Sequence, residues 1–254
     1  MIEQKALAYV NMFGVLGSLE DLCRMDQKAK DILKELKSPV ALCFDVKGGP
    51  CATFFFTQEG CKVSEGAEGA NAKMNFASPE KFNDLINNSK PGIPVKGIVK
   101  TLAFLLGPFT KLTDRLNEVL RPKDEDLENR EFFELNTLMT LYVIAGAVPA
   151  LANNDSISKV SAAAMVDGEV EMSIPGKAAV TVISKNCVLS SKKTGSDNPR
   201  AKMSFADIDL AYNIFNGKVA TIGELCKGNI KIAGMINMID NINRILDRVS
   251  VYLA

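Results

Sequence analysis

Not one histidine occurs in the 254 residues. Its absence removes the commonest general base, the commonest zinc and iron ligand, and the base partner of Ser-His and Cys-His nucleophile pairs. What remains is carboxylate or lysine chemistry, and the acids fall mostly at solvated helix positions such as Glu20, Asp21, Glu35, Asp114 and Glu118. The acidic triplet Asp124-Glu125-Asp126 lies between Pro122 and Arg130, a setting that suits a linker or a charged first helical turn better than a cation site. Charge of one sign is missing too. Thirty basic residues balance thirty acidic ones, and no Lys/Arg run exceeds a dipeptide, so bulk charge invites neither nucleic acid nor an anionic membrane as a partner. The six cysteines form no CxxC pair, and the amino terminus carries no charged start followed by an apolar core. We therefore expect a cytoplasmic protein whose thiols act as small hydrophobes, with no metal and no cofactor.

What the chain does have is a phrase written twice. Asn71-Ala72-Lys73-Met74-Asn75-Phe76-Ala77 returns as Arg200-Ala201-Lys202-Met203-Ser204-Phe205-Ala206, 129 residues later. Each copy follows a β-like segment containing a cysteine (Cys61, Cys187) and precedes a stretch ending in asparagine (Asn87, Asn216). An offset near half the chain length points to two repeats of ordinary domain size. The expected organisation is a first repeat over 1–120, a linker over 121–129 and a second repeat over 130–254.

Periodicity predicts an α+β unit in each half. The opening 37 residues read as helix, with Ser18-Leu19-Glu20-Asp21 as a capping box and Leu22, Ala29, Leu33 and Leu36 near one face. Val40–Lys47, Cys51–Thr57, Cys61–Ser64 and Ala72–Ala77 read as an antiparallel meander, with Gly48-Gly49-Pro50 as its first turn. Ser78-Pro79-Glu80 opens a helix carrying Phe82, Leu85 and Ile86. Ile98, Leu102, Leu105, Leu106 and Phe109 keep helical spacing, as do Leu112, Leu116, Val119 and Leu120. The second half restarts with a helix over about 131–145. Strands follow at Gly168–Pro175, Lys177–Ser184, Cys187–Ser190 and Ala201–Ala206, then a helix near Asp207–Asn216. Thr221-Ile222-Gly223-Glu224 is a second capping box, Asn229–Ala233 a strand, and Met235–Val249 an amphipathic helix.

These segments carry a family resemblance. Residues 31–88, DILKELKSPVALCFDVKGGPCATFFFTQEGCKVSEGAEGANAKMNFASPEKFNDLINN, resemble the first two-thirds of a sterol carrier protein type 2 domain, which shows a strand ending in D-[IV]-K-G-G, an aromatic strand and a helix introduced by Ser-x-Glu. Residues 215–246, FNGKVATIGELCKGNIKIAGMINMIDNINRIL, resemble its remaining third, with a G-x-[IL]-K-[IV]-x-G strand before the last helix. Each half departs where the other matches. Helix-like sequence follows Lys96-Gly97-Ile98-Val99-Lys100, leaving the first repeat four strands if its last is missing, and Pro175-Gly176-Lys177 replaces the Gly-Gly turn in the second.

The resemblance implies a mainly antiparallel five-stranded sheet covered by helices, with an apolar tunnel that takes fatty acid, acyl-CoA, phospholipid or sterol. It brings no covalent chemistry. Strand alternation would place Phe54, Phe56, Met74 and Phe76 against a lipid in the first repeat, closed by Phe82, Leu85 and Ile86. In the second repeat the set is Val180, Val182, Met203, Phe205, Ile214 and Phe215, with Met235 and Met238 on the last helix. Of the two, the second repeat is the better candidate for a working pocket. The uncharged stretch from Leu135 to Asn154 is too short and too interrupted by Pro149 for a membrane span, and is expected as a buried helix between the repeats. That helix or the carboxy-terminal one is expected to touch a membrane transiently during exchange. The rival reading is a non-catalytic structural or dimerisation module, a homodimer in the latter case, whose tunnel is filled or vestigial, with Phe54-Phe55-Phe56 as the plug. A lipid-modifying enzyme using a cysteine or carboxylate is the third.

Overall fold

A computed structural model of the chain describes residues 2–88, 95–96 and 99–253. It divides into two compact units, Met1–Leu127 and Glu128–Ala254.

The first unit opens with α1 (Gln4–Tyr9), a π-helical stretch Val10–Val15, a 3-10 turn Leu16–Ser18 and α2 (Leu19–Met25). Ser18 does not cap a helix as the sequence predicts. It is helical itself, and its buried hydroxyl donates to the Val15 carbonyl at 2.6 Å. The chain breaks instead at Asp26, whose extended backbone and carboxylate, accepting from the Ala29 amide at 3.0 Å, start α3 (Gln27–Lys34). Leu22, Ala29, Leu33 and Leu36 share the buried side as expected.

β1 (Val40–Val46), β2 (Cys51–Phe56) and β3 (Cys61–Glu65) form the predicted hairpins, but β4 (Ala72–Phe76) does not extend the meander. It crosses to the free edge of β1 and runs parallel to it, from Leu42↔Ala72 to Val46↔Phe76. The strands themselves give the reason. β3 is largely exposed and suits an edge, whereas β1 is nearly continuously buried and needs a neighbour on each side. β5 (Val95–Lys96), the strand whose presence the sequence left open, pairs antiparallel with β4 and completes the order β3-β2-β1-β4-β5. α4 (Pro79–Asn88) begins at the predicted proline. α5 (Val99–Phe104), a π-helical turn Leu105–Phe109 that contains Pro108, and α6 (Thr110–Leu120) follow. Gly97 and Ile98 lie outside the described residues.

The second unit begins with α7 (Arg130–Asn154), which the Asn129 side chain caps through the Phe132 amide at 3.1 Å. It outruns its predicted end at Ala145 by about two and a half turns and passes through Pro149. α7 is apolar and long enough by composition to cross a membrane, yet 67% of its most apolar window is buried. It is the core helix of this unit, packed on the sheet and its neighbouring helices, rather than a spacer between repeats. After α8 (Ser156–Ala163) come β6 (Gly168–Ile174), β7 (Ala178–Lys185), β8 (Val188–Lys192) and β9 (Ala201–Phe205). α9 (Ile208–Phe215), α10 (Thr221–Cys226), β10 (Ile230–Gly234) and α11 (Ile236–Leu253) end the chain.

The strand order β8-β7-β6-β9-β10 is that of the first unit, again with one parallel pair at its centre. Both sheets are therefore mixed, within an α+β architecture.

Two local predictions fail here. Thr221 caps nothing, because Ala220 holds the N-cap position, and the Glu224 carboxylate instead takes the Lys227 ammonium at 2.8 Å and the Asn229 amide at 2.7 Å. Cys187 is not in a strand. With Asn186 it forms a two-residue turn at φ 51° and 62°, the left-handed geometry of a tight hairpin. Gly234 ends β10 at φ 83°, where a side chain would meet the Arg200 carbonyl oxygen, so glycine is required.

Candidate functional site

In each unit one sheet face is apolar and covered by helices, and register decides which side chains share it. In the first unit Phe44 stands between Ala52 and Met74, and Leu42 between Phe54 and Ala72. In the second, Met172 stands between Val180 and Met203, and Val170 between Val182 and Ala201. Aligning the two methionines of the repeated phrase maps Phe44 onto Met172 and Phe54 onto Val182. One step further along, Phe56, opposite Val40, maps onto Ser184, opposite Gly168.

The difference in contents is large. Phe54, Phe56, Phe76 and Phe82 meet as the sequence predicts, but they meet through Phe44, and Phe104 and Phe109 close over them from the helical side. Ring centroids lie 5.1 Å apart for Phe56–Phe104, 5.2 Å for Phe76–Phe82 and 5.4 Å for Phe44–Phe54, ordinary aromatic packing. Met74 is buried beside them, while Leu85 and Ile86 are half-buried. Phe44 was missed as a site residue, although its alternation with Leu42 and Val46 was legible.

The second unit's face is aliphatic and methionine-rich. Val180, Val182, Met203, Phe205 and Met238 are buried, and Ile214 and Phe215 are half-buried, with Phe215 against Phe205 at 5.3 Å. Met235 stands apart at 38% exposure, at the turn into α11, where its amide bonds the Arg200 carbonyl. Ser184 is 1% exposed, and its hydroxyl has no hydrogen-bond partner among the described residues. A buried hydroxyl in that condition costs about 1–3 kcal/mol. Its neighbour across the hairpin, Leu189, is held by Asn153 of α7 through both backbone groups, at 2.7 and 2.9 Å.

The helical layer of each unit is locked by a buried acid that sequence reading missed. Asp26 takes Arg115 of α6 through two bonds of 2.9 Å, with Glu118 on the other side of the guanidinium at 2.8 Å. Asp155, wholly buried, caps α8 through Ser158 and takes Arg248 of α11 at 2.9 Å and the Tyr252 hydroxyl at 2.8 Å. Burial alone would raise the Asp155 pKa, yet the bonds from Arg248, Ser158 and Tyr252 hold it well below the usual carboxylate range. The two acids are 129 residues apart, the offset of the repeated phrase, and that was the available signal.

Reactive groups are sparse. Cys43 and Cys51 approach at 3.8 Å between sulfurs, but burial and then the Cys43 contact push the Cys51 thiol up to about 11, away from thiolate chemistry. Among the described residues no group of three or more acids or cysteines is placed to hold a metal ion.

No protein-family model and no curated protein sequence matches the chain. Solved structures do show likeness in shape. A ubiquinone synthesis protein, UbiJ-SCP2, is 10% identical, with 43% of this chain and 94% of that one covered, at a TM-score of 0.35. Sterol Carrier Protein 2 Like 2 from Aedes aegypti is 13% identical, covering 41% and 94%, at 0.30. The sec-alkylsulfatase Pisa1 from a Pseudomonas species is 10% identical, covering 92% of this chain and 43% of its own, at 0.25.

Proposed function

We propose that the second unit binds a lipid by its acyl chain, between the inward face of its sheet and the helices α7, α9 and α11, without covalent chemistry. The observation that carries this reading is Ser184. Where the first unit places the Phe56 ring, the second leaves a small buried hydroxyl with no hydrogen-bond partner among the described residues, and the neighbouring ring positions shrink to Val182 and Met172. The resemblance of the sequence to sterol carrier protein type 2 domains supports the same assignment.

Physical chemistry makes apolar burial sufficient. A sixteen-carbon chain gains roughly 12 kcal/mol at about 0.8 kcal/mol per methylene, before association and ordering costs. A methionine-lined wall adapts to ligands of different shape. Transfer of the bound lipid in the cytoplasm is the extension of this reading.

For the first unit a different role is favoured by a specific observation, the contiguous phenylalanine cluster. There we infer a filled interior and a structural part.

The test is organic extraction of purified protein with lipid mass spectrometry, and titration of a fluorescent fatty acid. We expect co-purified lipid and a displaceable probe, and loss of probe uptake in Ser184→Phe with the fold intact by circular dichroism. No lipid and no displaceable probe would remove the reading.

A further inference from the structure

We propose that the outer face of α8 is a docking surface for a membrane carrying anionic lipid. α8 is inverted relative to a surface helix of ordinary pattern: Ser158 and Ser161 are buried, whereas Ile157 is 54% and Val160 71% exposed, with Ala164 beside them. These three lie at i, i+3 and i+7, one continuous stripe. The stripe reaches the β7–β8 turn, where the Cys187 sulfur contacts the Ala163 carbonyl, and there Val188 is 60% exposed.

The first unit carries different chemistry at the same helix position. At the 129-residue offset, Ile157, Val160, Ala163 and Ala164 replace Lys28, Asp31, Lys34 and Glu35 of α3. Those four charged residues are laced into ion pairs, Lys34–Asp31 at 2.7 Å and Glu35–Lys111 at 2.7 Å among them. The same helix position is thus charged in one unit and aliphatic in the other.

Charge at the border selects the occupant. Lys159 on α8 and Lys185 beside the turn are exposed and pair with no acid among the described residues, and α8 itself carries no carboxylate. Asp167, the acid next to this border, accepts the Asn186 amide at 2.8 Å. A small aliphatic stripe with flanking lysines and no aromatic or arginine anchor matches the acyl boundary and anionic head groups of a bilayer better than a protein hot spot.

The experiment is flotation of the full chain with vesicles of phosphatidylcholine, alone or with about 30 mol % phosphatidylglycerol, over a range of salt. We expect binding to the anionic vesicles that weakens as salt rises. Ile157→Ser with Val160→Ser should weaken it by about tenfold or more, with an unchanged melting temperature because both sites are exposed. Lys159→Gln with Lys185→Gln should weaken it and flatten the salt dependence. Absence of binding to anionic vesicles, or undiminished binding by the serine pair, overturns the proposal. A concentration-dependent dimer that the serine pair dissolves, in protein that ignores vesicles, overturns it in favour of a second copy of the chain.

Discussion

The two units share a strand order and a parallel central pair, but they solve the same packing problems with different chemistry. Where the first unit joins α1 to α4 by the Asn83 amide on Gln4 at 2.9 Å, the second joins α7 to α9 by Phe133 against Tyr212, rings 4.6 Å apart, at the same 129-residue offset. Inside the sheet the exchange runs the other way, with phenylalanines in the first unit facing valine, methionine and serine in the second. Topology tolerates these swaps because backbone pairing and the apolar period are preserved. Contents are thus free to diverge toward a solid interior in one unit and, as we propose, a ligand-accepting one in the other.

The sharpest way to break the comparison is to exchange one residue. Phe56→Ser should cost the first unit about 5 kcal/mol, from a phenylalanine-sized cavity and an unpaired hydroxyl together. Denaturant unfolding reads it. The reciprocal Ser184→Phe should cost the second unit less than about 1 kcal/mol if its interior has room. An overpacking penalty of about 1–3 kcal/mol would make the two interiors equivalent.

Next in size is the buried acid. Asp155→Asn should destabilise the second unit by about 3 kcal/mol, since Arg248 loses its charged partner. Because the folded pKa of Asp155 is depressed, its stabilisation is complete above the ordinary carboxylate pKa of about 4 and is lost progressively as pH falls from there toward the depressed folded value. Thermal melts from pH 7 to 3 should therefore show a steeper acid loss in the native chain than in Asp155→Asn.

Gly234→Ala probes the last strand, the strand in which the units differ most in length. The added carbon would strike a backbone oxygen at a positive φ, so a loss of about 2 kcal/mol is expected in the same melts. The smallest effect has the opposite sign. Cys187→Gly should stabilise the β7–β8 hairpin by about 1 kcal/mol, because glycine holds a left-handed turn position without strain. An unchanged midpoint would show the turn relaxes in solution.

Local signals were well written in the sequence. β1 through β4 and β6 through β9 begin within a residue or so of their predicted starts, because alternation and Gly/Pro turns act over a few residues. Both capping boxes failed for an equally local reason, since Ser18 found a backbone carbonyl in the preceding turn and Ala220 took the cap position before Thr221. The candidate walls were legible as alternating residues. Whether a wall is closed was not.

The sequence by itself determined the α+β character, the strand positions and the offset at which the pattern recurs, since all three are written in spacing along the chain. Only the tertiary structure decided that β4 crosses to β1, that seven phenylalanine rings meet, that Ser184 is buried without a hydrogen-bond partner among the described residues, and that α8 turns its aliphatic side outward. Each of those depends on residues tens of positions apart, and no local propensity carries the sign of such a contact.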